Sequence, residues 1–327
     1  LSPDAWTGDM GGLKGADGIC NKYVEETGIS GTYRAILSTD SVNAGDRLGD
    51  ARGWVRPDKH PVGDLPSEIF QYGGLLAPIR IDLAGNDLGQ QRTWSASSNT
   101  GRRHNSGTDC GGWTSEGRET SRSGFSDTTA EWLDRGSSTA CQNQLHIYCF
   151  QVDYYRQLDK SDWAVAGRRL FVSTGKFDTS SGWNGAYGLC AADVKTRGLD
   201  GSFKPLLADA GRSAASRFES SNLPVVRLDG LLVAANLDAL STTDIVHPPV
   251  LQGDGAIWNG RVFTGAARPD VSGTGTTTCS GWSKVWGKAT VGLAYGTSHT
   301  GAERLWFGNS PEKCTRSGQL PVYCLED

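Results

Sequence analysis

Several features that would indicate a membrane span, a metal centre or an active site are missing from this sequence of 327 residues. It has no run of about 18 apolar residues, so it is predicted to have no membrane span. It has no Cys-x-x-Cys pair of the kind that binds structural zinc. It also has no nucleophile elbow, no His-Glu-x-x-His helix and no phosphate-binding loop. We therefore expect a protein that is not an enzyme.

A strong basic surplus is missing as well. Residues 1–150 carry 14 Lys and Arg against 19 Asp and Glu, and residues 166–327 carry 16 against 14. General nucleic-acid binding requires a clearly positive surface. We therefore expect no nucleic-acid partner.

The eight cysteines, by contrast, form two sets of four with similar spacing. Successive cysteines lie 90, 31 and 8 residues apart in the first set and 89, 35 and 10 apart in the second. The blocks Cys110–Trp113 and Cys279–Trp282 repeat the pattern Cys-x-Gly-Trp. A period of about 170 residues is too long for a solenoid repeat and suits whole domains. The sequence therefore predicts two tandem modules.

We place these modules at residues 1–150 and 166–327, with a linker at residues 151–165. The linker is not rich in Gly or Ser, and it contains Tyr154 and Tyr155. Such a segment is expected to pack against a module rather than to act as a free tether.

Cysteines in matching positions favour disulfides, and disulfides indicate an oxidising compartment. Four cysteines per module allow three connectivities. The nested one would join each module's ends. By the chain-entropy model, a bridge that closes a loop of more than one hundred residues contributes about 5 kcal/mol.

Each module is predicted to open with a short amphipathic helix and to continue through short strands under long loops, which is an α+β fold. The first helix is predicted over residues 15–27, with Gly28 as a left-handed cap, and Gly198 is placed to end its counterpart. The predicted strands are residues 32–37, 54–56, 77–81, 93–94, 168–173, 202–207, 224–227, 248–251 and 262–263.

One strand has no counterpart in the other module. Residues 168–173 lie about twenty residues before Cys190, whereas the same distance before Cys20 reaches Leu1. Module one is therefore predicted to lack its first strand, which would come either from upstream residues or from another chain. An uncovered sheet edge is a template for strand pairing.

The two modules resemble the endostatin-like domains of bacteria, of which the leptospiral endostatin-like surface proteins are the best-known members. The resemblance rests on Gly-Ala-Asp-Gly-Ile-Cys20, on Cys110–Trp113 and on Tyr148–Phe150, and in the second copy on Cys279–Trp282 and Tyr323–Glu326. It covers nearly the whole chain outside the linker.

This resemblance implies a C-type-lectin-like fold, a secreted or cell-surface location and no fixed ligand. It also implies nested disulfides. The implied pairs are Cys20–Cys149, Cys110–Cys141, Cys190–Cys324 and Cys279–Cys314. The zinc-binding histidines of mammalian endostatin have no equivalent at the start of this chain, so that ligand set does not transfer.

Sugar-binding C-type lectins hold calcium, so Asp134 and Asn309 are the candidate calcium ligands, although the Glu-Pro-Asn loop of those lectins is absent. No other metal and no other cofactor is expected. Arg102, Arg103 and His104 form a candidate ligand-binding patch, because arginine forks bind anionic groups.

The repeated tryptophans are expected to be core residues. These are Trp113, Trp132, Trp282 and Trp306.

These features together predict a non-catalytic adhesion or binding protein that recognises an extracellular protein or glycan. Recognition is expected through the loops around residues 40–70, 95–109 and 264–278, because loops on a rigid scaffold usually carry specificity. The alternative is a structural subunit of an extracellular filament, sheath or coat that self-associates through its incomplete sheet.

Overall fold

The computed structural model describes residues 1–71, 74–105, 109–297, 299–300, 303–315 and 317–327, and at 299–300 and 303–304 it describes the backbone alone. The predicted α+β class is confirmed. The chain divides into two compact units, Leu1–Asp162 (unit 1) and Trp163–Asp327 (unit 2). Their boundary lies inside the predicted linker. The linker is attached to unit 1 by hydrogen bonds, such as that from the Leu158 N–H to Asp64 Oδ1 at 3.1 Å. Its tyrosines do not pack there as predicted, because Tyr154 and Tyr155 are 37% and 63% exposed.

The elements of unit 1 are short apart from one helix. They are α1 Gly12–Thr27, β1 Tyr33–Ala35, β2 Trp54–Val55, β3 Pro61–Gly63, α2 Pro66–Ile69, β4 Arg92–Trp94, α3 Cys110–Trp113, β5 Thr120–Phe125, β6 Ser138–Ala140 and β7 Cys149–Gln151, with 3-10 turns at Gly45–Leu48 and Lys160–Asp162.

The elements of unit 2 follow a closely similar order. They are β8 Arg168–Val172, α4 Gly182–Arg197, β9 Phe203–Pro205, β10 Val225–Arg227, β11 Leu232–Ala234, α5 Ala239–Thr242, β12 Arg261–Phe263, α6 Cys279–Trp282, β13 Lys288–Leu293, β14 His299–Thr300, β15 Glu303–Arg304, β16 Ser310–Lys313 and β17 Tyr323–Glu326, with a 3-10 turn at Ala215–Arg217.

The long helix of each unit ends where its sequence predicts. Gly28 follows α1 with φ 69° and Gly198 follows α4 with φ 61°, both in the left-handed region that glycine adopts without steric cost. The helix α1 begins three residues earlier than predicted, because Gly11 and Gly12 take positive φ and turn the chain into it. Its buried face includes Cys20 and Val24, one turn apart.

The strands of unit 2 form two larger sheets, and the strands of unit 1 can be matched to them. The main sheet of unit 2 has the order β11-β10-β8-β17-β9, in which β10 and β8 are parallel and the other pairs antiparallel. A second sheet is β12-β13-β16, and unit 1 has the matching sheet β4-β5-β6. The remaining strands of unit 1 form two separate pairs, β1-β7 and β2-β3.

The hydrogen bonds at the end of β8 in unit 2 have an exact equivalent at the start of unit 1. The Ser173 N–H donates to Val322 O, and the Val322 N–H donates to Ser173 Oγ. Ser2 makes the same two bonds with Ile147. Leu1 therefore takes the place of Val172, the last residue of β8.

Four disulfides join the pairs that a nested connectivity requires, two within each unit. They are Cys20–Cys149, Cys110–Cys141, Cys190–Cys324 and Cys279–Cys314. All eight cysteines lie in the hydrophobic cores, with at most 8% of their surface exposed. Each pair thus braces a core rather than a surface loop.

The strands predicted at residues 77–81 and 248–251 are wrong. Ile79 and Ile81 are buried, but the segment makes only an isolated bridge at Ile81. Its carbonyl at Pro78 instead accepts from Arg56 Nη1 at 2.9 Å, and Pro248 O accepts from Arg227 in the same way. These segments are extended and apolar because they cover a buried arginine, so their pattern imitates that of a strand.

Within the described residues, none of the helices has both the length and the apolar composition needed to cross a membrane.

Candidate functional site

The repeated Cys-x-Gly-Trp block folds as one left-handed turn in each unit. In α3, Cys110, Gly111, Gly112 and Trp113 all have φ between 53° and 68°. An L-residue in this region costs roughly 1–2 kcal/mol because its Cβ approaches the following carbonyl. The turn holds nonetheless, because Asp109 Oδ1 accepts the Gly112 N–H at 2.9 Å.

This turn anchors the loop in front of it to the core. Trp113 is fully buried, and its Nε1–H donates to Ser38 O at 2.8 Å. Trp282 does the same with Ala208 O at 2.8 Å in unit 2. The predicted loop at 95–109 therefore ends on a fixed point, although its residues 106–108 lie outside the described part of the chain.

All four repeated tryptophans are buried, as predicted for core residues. Trp132 packs edge-on against Tyr148, and Trp306 packs at an inclined angle against Tyr323, with ring centroids 5.3 and 5.4 Å apart. None of the four is available as a surface platform for sugar.

The predicted patch at Arg102, Arg103 and His104 is a mixed-charge surface. Arg102 is exposed, whereas Arg103 pairs with Asp40. His104 Nε2 lies 3.3 Å from Asp134 Oδ2, and its Nδ1 accepts from Arg122 Nε at 3.3 Å. The positive charges near this loop are thus largely matched by carboxylates of the same unit.

The candidate calcium ligand Asp134 belongs to the same cluster. Arg122 Nη1 lies 3.6 Å from its Oδ1, and the Asn99 side-chain oxygen accepts the Asp134 N–H at 3.0 Å. A divalent cation at this carboxylate would face repulsion from a guanidinium at close range.

The second candidate, Asn309, donates its N–H to Val291 O at the edge of β16. Within the described ranges, no three His, Cys, Asp or Glu side chains converge on a possible metal position.

An open cavity of about 620 Å³ lies elsewhere on unit 1, beside β4 and the ends of β5 and β6. Its walls are mainly polar. They are formed by Ala5, Gln90, Gln91, Arg92, Phe125, Thr139, Asn143, Gln144, Leu145 and His146. Ligand sites usually combine such concavity with a few placed polar groups.

Arg92 is the charged group of this cavity. Its Nη2 donates to Ser123 Oγ at 2.9 Å and to Thr139 Oγ1, and both hydroxyl residues are at most 3% exposed. Its Nε is shielded from water and has no acceptor among the described residues. Among the described residues, no carboxylate forms an ion pair with Arg92.

An aromatic ring and a second arginine stand next to it. The guanidinium carbon of Arg92 lies 6.0 Å from the Phe125 ring centroid, and that of Arg135 lies 4.5 Å from it. Arg135 is neutralised by Glu131, with Nε and Oε2 3.5 Å apart.

The equivalent arginine of unit 2 has a different environment. Arg92 pairs across the sheet with the last residue of β5, and Arg261 pairs with the last residue of β13. In the same register, Thr139 of β6 corresponds to Glu312 of β16. Arg261 forms an ion pair with Glu312. Unit 1 thus keeps the cation and replaces its counterion with a hydroxyl.

The sequence contained only part of this signal. Aligning Thr93-Trp94 with Val262-Phe263 places an arginine before each pair. The change from Glu312 to Thr139 depends on which residues face each other across the sheet, and that register was not predicted.

A second cavity of about 500 Å³ runs between β2 and β7 in unit 1. Val55 on β2 is 50% exposed, whereas its counterpart Val226 in unit 2 is 2% exposed. In unit 2 the strand β8 lies between the strands that correspond to β2 and β7. Neither β2 nor β7 has a further ladder partner among the described residues.

Comparison with known proteins does not assign a family. No protein-family model matches this chain, and no curated protein matches it at a significant level.

Proposed function

We propose that this chain is a secreted or cell-surface binding protein that recognises an extracellular protein or glycan and has no catalytic role. The observation that carries the proposal is the open polar cavity beside Arg92, set in a unit that two disulfides brace. A rigid scaffold lowers the entropy cost of presenting a binding surface.

The same proposal includes two tandem modules with a C-type-lectin-like, endostatin-like fold. The matching disulfide spans, the equivalent left-handed turns and the shared register at Ser2 and Ser173 support a duplicated unit. The resemblance in the cysteine blocks supports the family assignment.

A binding array tests this function. The folded chain is applied to immobilised matrix proteins and glycans, once with calcium and once with EDTA, and a reduced and alkylated sample serves as the unfolded control. We expect ligand binding by the folded chain alone, unchanged by EDTA. An array without any specific ligand in either condition would reject the proposal.

A structural role in an extracellular filament, sheath or coat is the second candidate. The edges of β2 and β7 that have no further strand partner in the described part of the chain favour it, because unpaired strand edges are templates for strand addition. The strand that fits this groove has the chemistry of β8, with buried aliphatic and aromatic side chains at Leu170, Phe171 and Val172.

Electron microscopy of the purified protein tests this second role. A synthetic peptide that copies residues 168–172 serves as a competitor, and a scrambled peptide is its control. Ordered assemblies that the competitor disperses would support strand addition. Dispersed single particles at all concentrations would reject it.

A further inference from the structure

Arg92 lines the cavity of unit 1, and its charge is not paired with any described carboxylate. It is a cation with two buried hydroxyl partners, one shielded N–H without an acceptor and no carboxylate partner in the described part of the chain. A guanidinium binds carboxylates through charge-assisted hydrogen bonds. A guanidinium that lines an open cavity and has no carboxylate partner among the described residues is suited to bind an anionic group.

The neighbouring carboxylates do not supply that group. Asp127 Oδ2 accepts from Gln90 Nε2 at 2.8 Å, and Glu131 pairs with Arg135 at 3.5 Å. Neither carboxylate forms an ion pair with Arg92 among the described residues, so the guanidinium lines the cavity without a carboxylate partner there.

The remaining walls indicate the rest of the ligand. Gln91, Asn143 and Gln144 carry amides that both donate and accept hydrogen bonds, which suits the hydroxyl groups of a sugar. Phe125 adds an aromatic ring to the wall, and such rings provide apolar contact area for a sugar. The volume of about 620 Å³ lies in the range of small-ligand sites.

We propose that this cavity binds a glycan through a sugar carboxylate, as in a hexuronic acid, with Arg92 as the carboxylate receptor. This inference rests on the proposed binding function and names the ligand class of its site. Ser123 and Thr139 act as positioning residues, because they hold Arg92 Nη2 from the side of the protein.

Unit 2 supplies a matched control. Arg261 occupies the equivalent strand position, and its charge is satisfied by Glu312. Replacing Arg261 therefore removes one arginine from the protein, but one whose charge is already paired with a carboxylate.

Calorimetry with methyl glucuronide as the titrant tests the proposal, and methyl glucoside, which lacks the carboxylate, is the neutral comparison. We expect the uronide to bind at least about tenfold more tightly than the glucoside, as the loss of one charge-assisted hydrogen bond implies. Arg92→Gln is expected to abolish this preference, Arg92→Lys to retain part of it, and Arg261→Gln to leave it unchanged. Circular dichroism checks that each variant is folded.

Equal binding of the two sugars, or equal effects of Arg92→Gln and Arg261→Gln, would overturn the proposal. Equally tight binding of N-acetylglutamate would also overturn it, since the sugar part would then contribute nothing. If Arg92→Gln keeps every array ligand of the parent chain, this inference fails while the general binding function stands. If the array shows no ligand but the uronide binds through Arg92, the general function fails and the site stands.

Discussion

Ser280 has a left-handed backbone conformation, and the equivalent position of unit 1 is occupied by a glycine, Gly111. Its φ is 58° and ψ 49°, and the side chain is exposed in the turn Cys279–Trp282. The equivalent residue Gly111 has φ 64° and ψ 41°. The strain of an L-residue there is roughly 1–2 kcal/mol. Replacing Ser280 by glycine removes this strain, but the greater entropy of glycine in the unfolded chain costs about 0.5–1 kcal/mol. Ser280→Gly is therefore expected to stabilise unit 2 by about 1 kcal/mol.

The reciprocal change is the matched control. Gly111→Ser places an L-residue in the same turn of unit 1, so it is expected to destabilise that unit by about 1 kcal/mol. Both variants keep the oxygen atoms that accept the Gly112 and Gly281 N–H groups.

Differential scanning calorimetry of the whole chain, with hydrogen exchange to assign each transition to a unit, measures these effects. For a unit of this size, 1 kcal/mol corresponds to a shift in Tm of about 2–4 °C. Ser280→Gly is expected to raise the transition of unit 2 and leave that of unit 1 in place. A lowered unit 2 transition, or a Gly111→Ser variant as stable as the parent, would refute the assignment of strain to this turn.

The other predictions concern the disulfides and the pH dependence of stability. Replacing Cys190 and Cys324 by Ala opens a loop of 134 residues, and replacing Cys279 and Cys314 by Ala opens one of 35. The chain-entropy model then gives losses of unfolding free energy of about 5 and about 4 kcal/mol. Urea unfolding measures both losses, and a larger loss for the second pair would contradict this reasoning. Burial alone raises the pKa of Glu326, but hydrogen bonds and the charge of its arginine partner outweigh burial and bring that pKa below its usual 4.5. Its contribution is therefore present above about pH 4.5 and is lost as the pH falls through the lower pKa of the folded state. Glu326→Gln should be less stable at neutral pH and lose less stability from about pH 4.5 to 3, and an acid slope equal to that of the parent in urea unfolding would count against it.

Much of the local structure could be predicted from the sequence because short-range chemistry decides it. The glycines at 28 and 198 end the two long helices, since only glycine takes the required left-handed φ without steric cost. The duplicated cysteine spacing indicated a repeated, disulfide-braced unit. The apolar alternation at residues 77–81 was misleading, because a segment that covers the buried Arg56 has the same pattern as a strand.

The sequence by itself therefore determined the local features of the chain. These are where its long helices end, which motifs repeat, and that the cysteine spacing suits disulfides. The tertiary structure alone decided which side chains face each other across the sheets. Thr139 and Glu312 occupy equivalent places on β6 and β16. As a result, Arg261 pairs with Glu312, whereas no described carboxylate pairs with Arg92. Cross-strand neighbours lie far apart in sequence, and a slip of one residue would turn each side chain to the other face. For that reason, no local pattern could have located the cavity at Arg92.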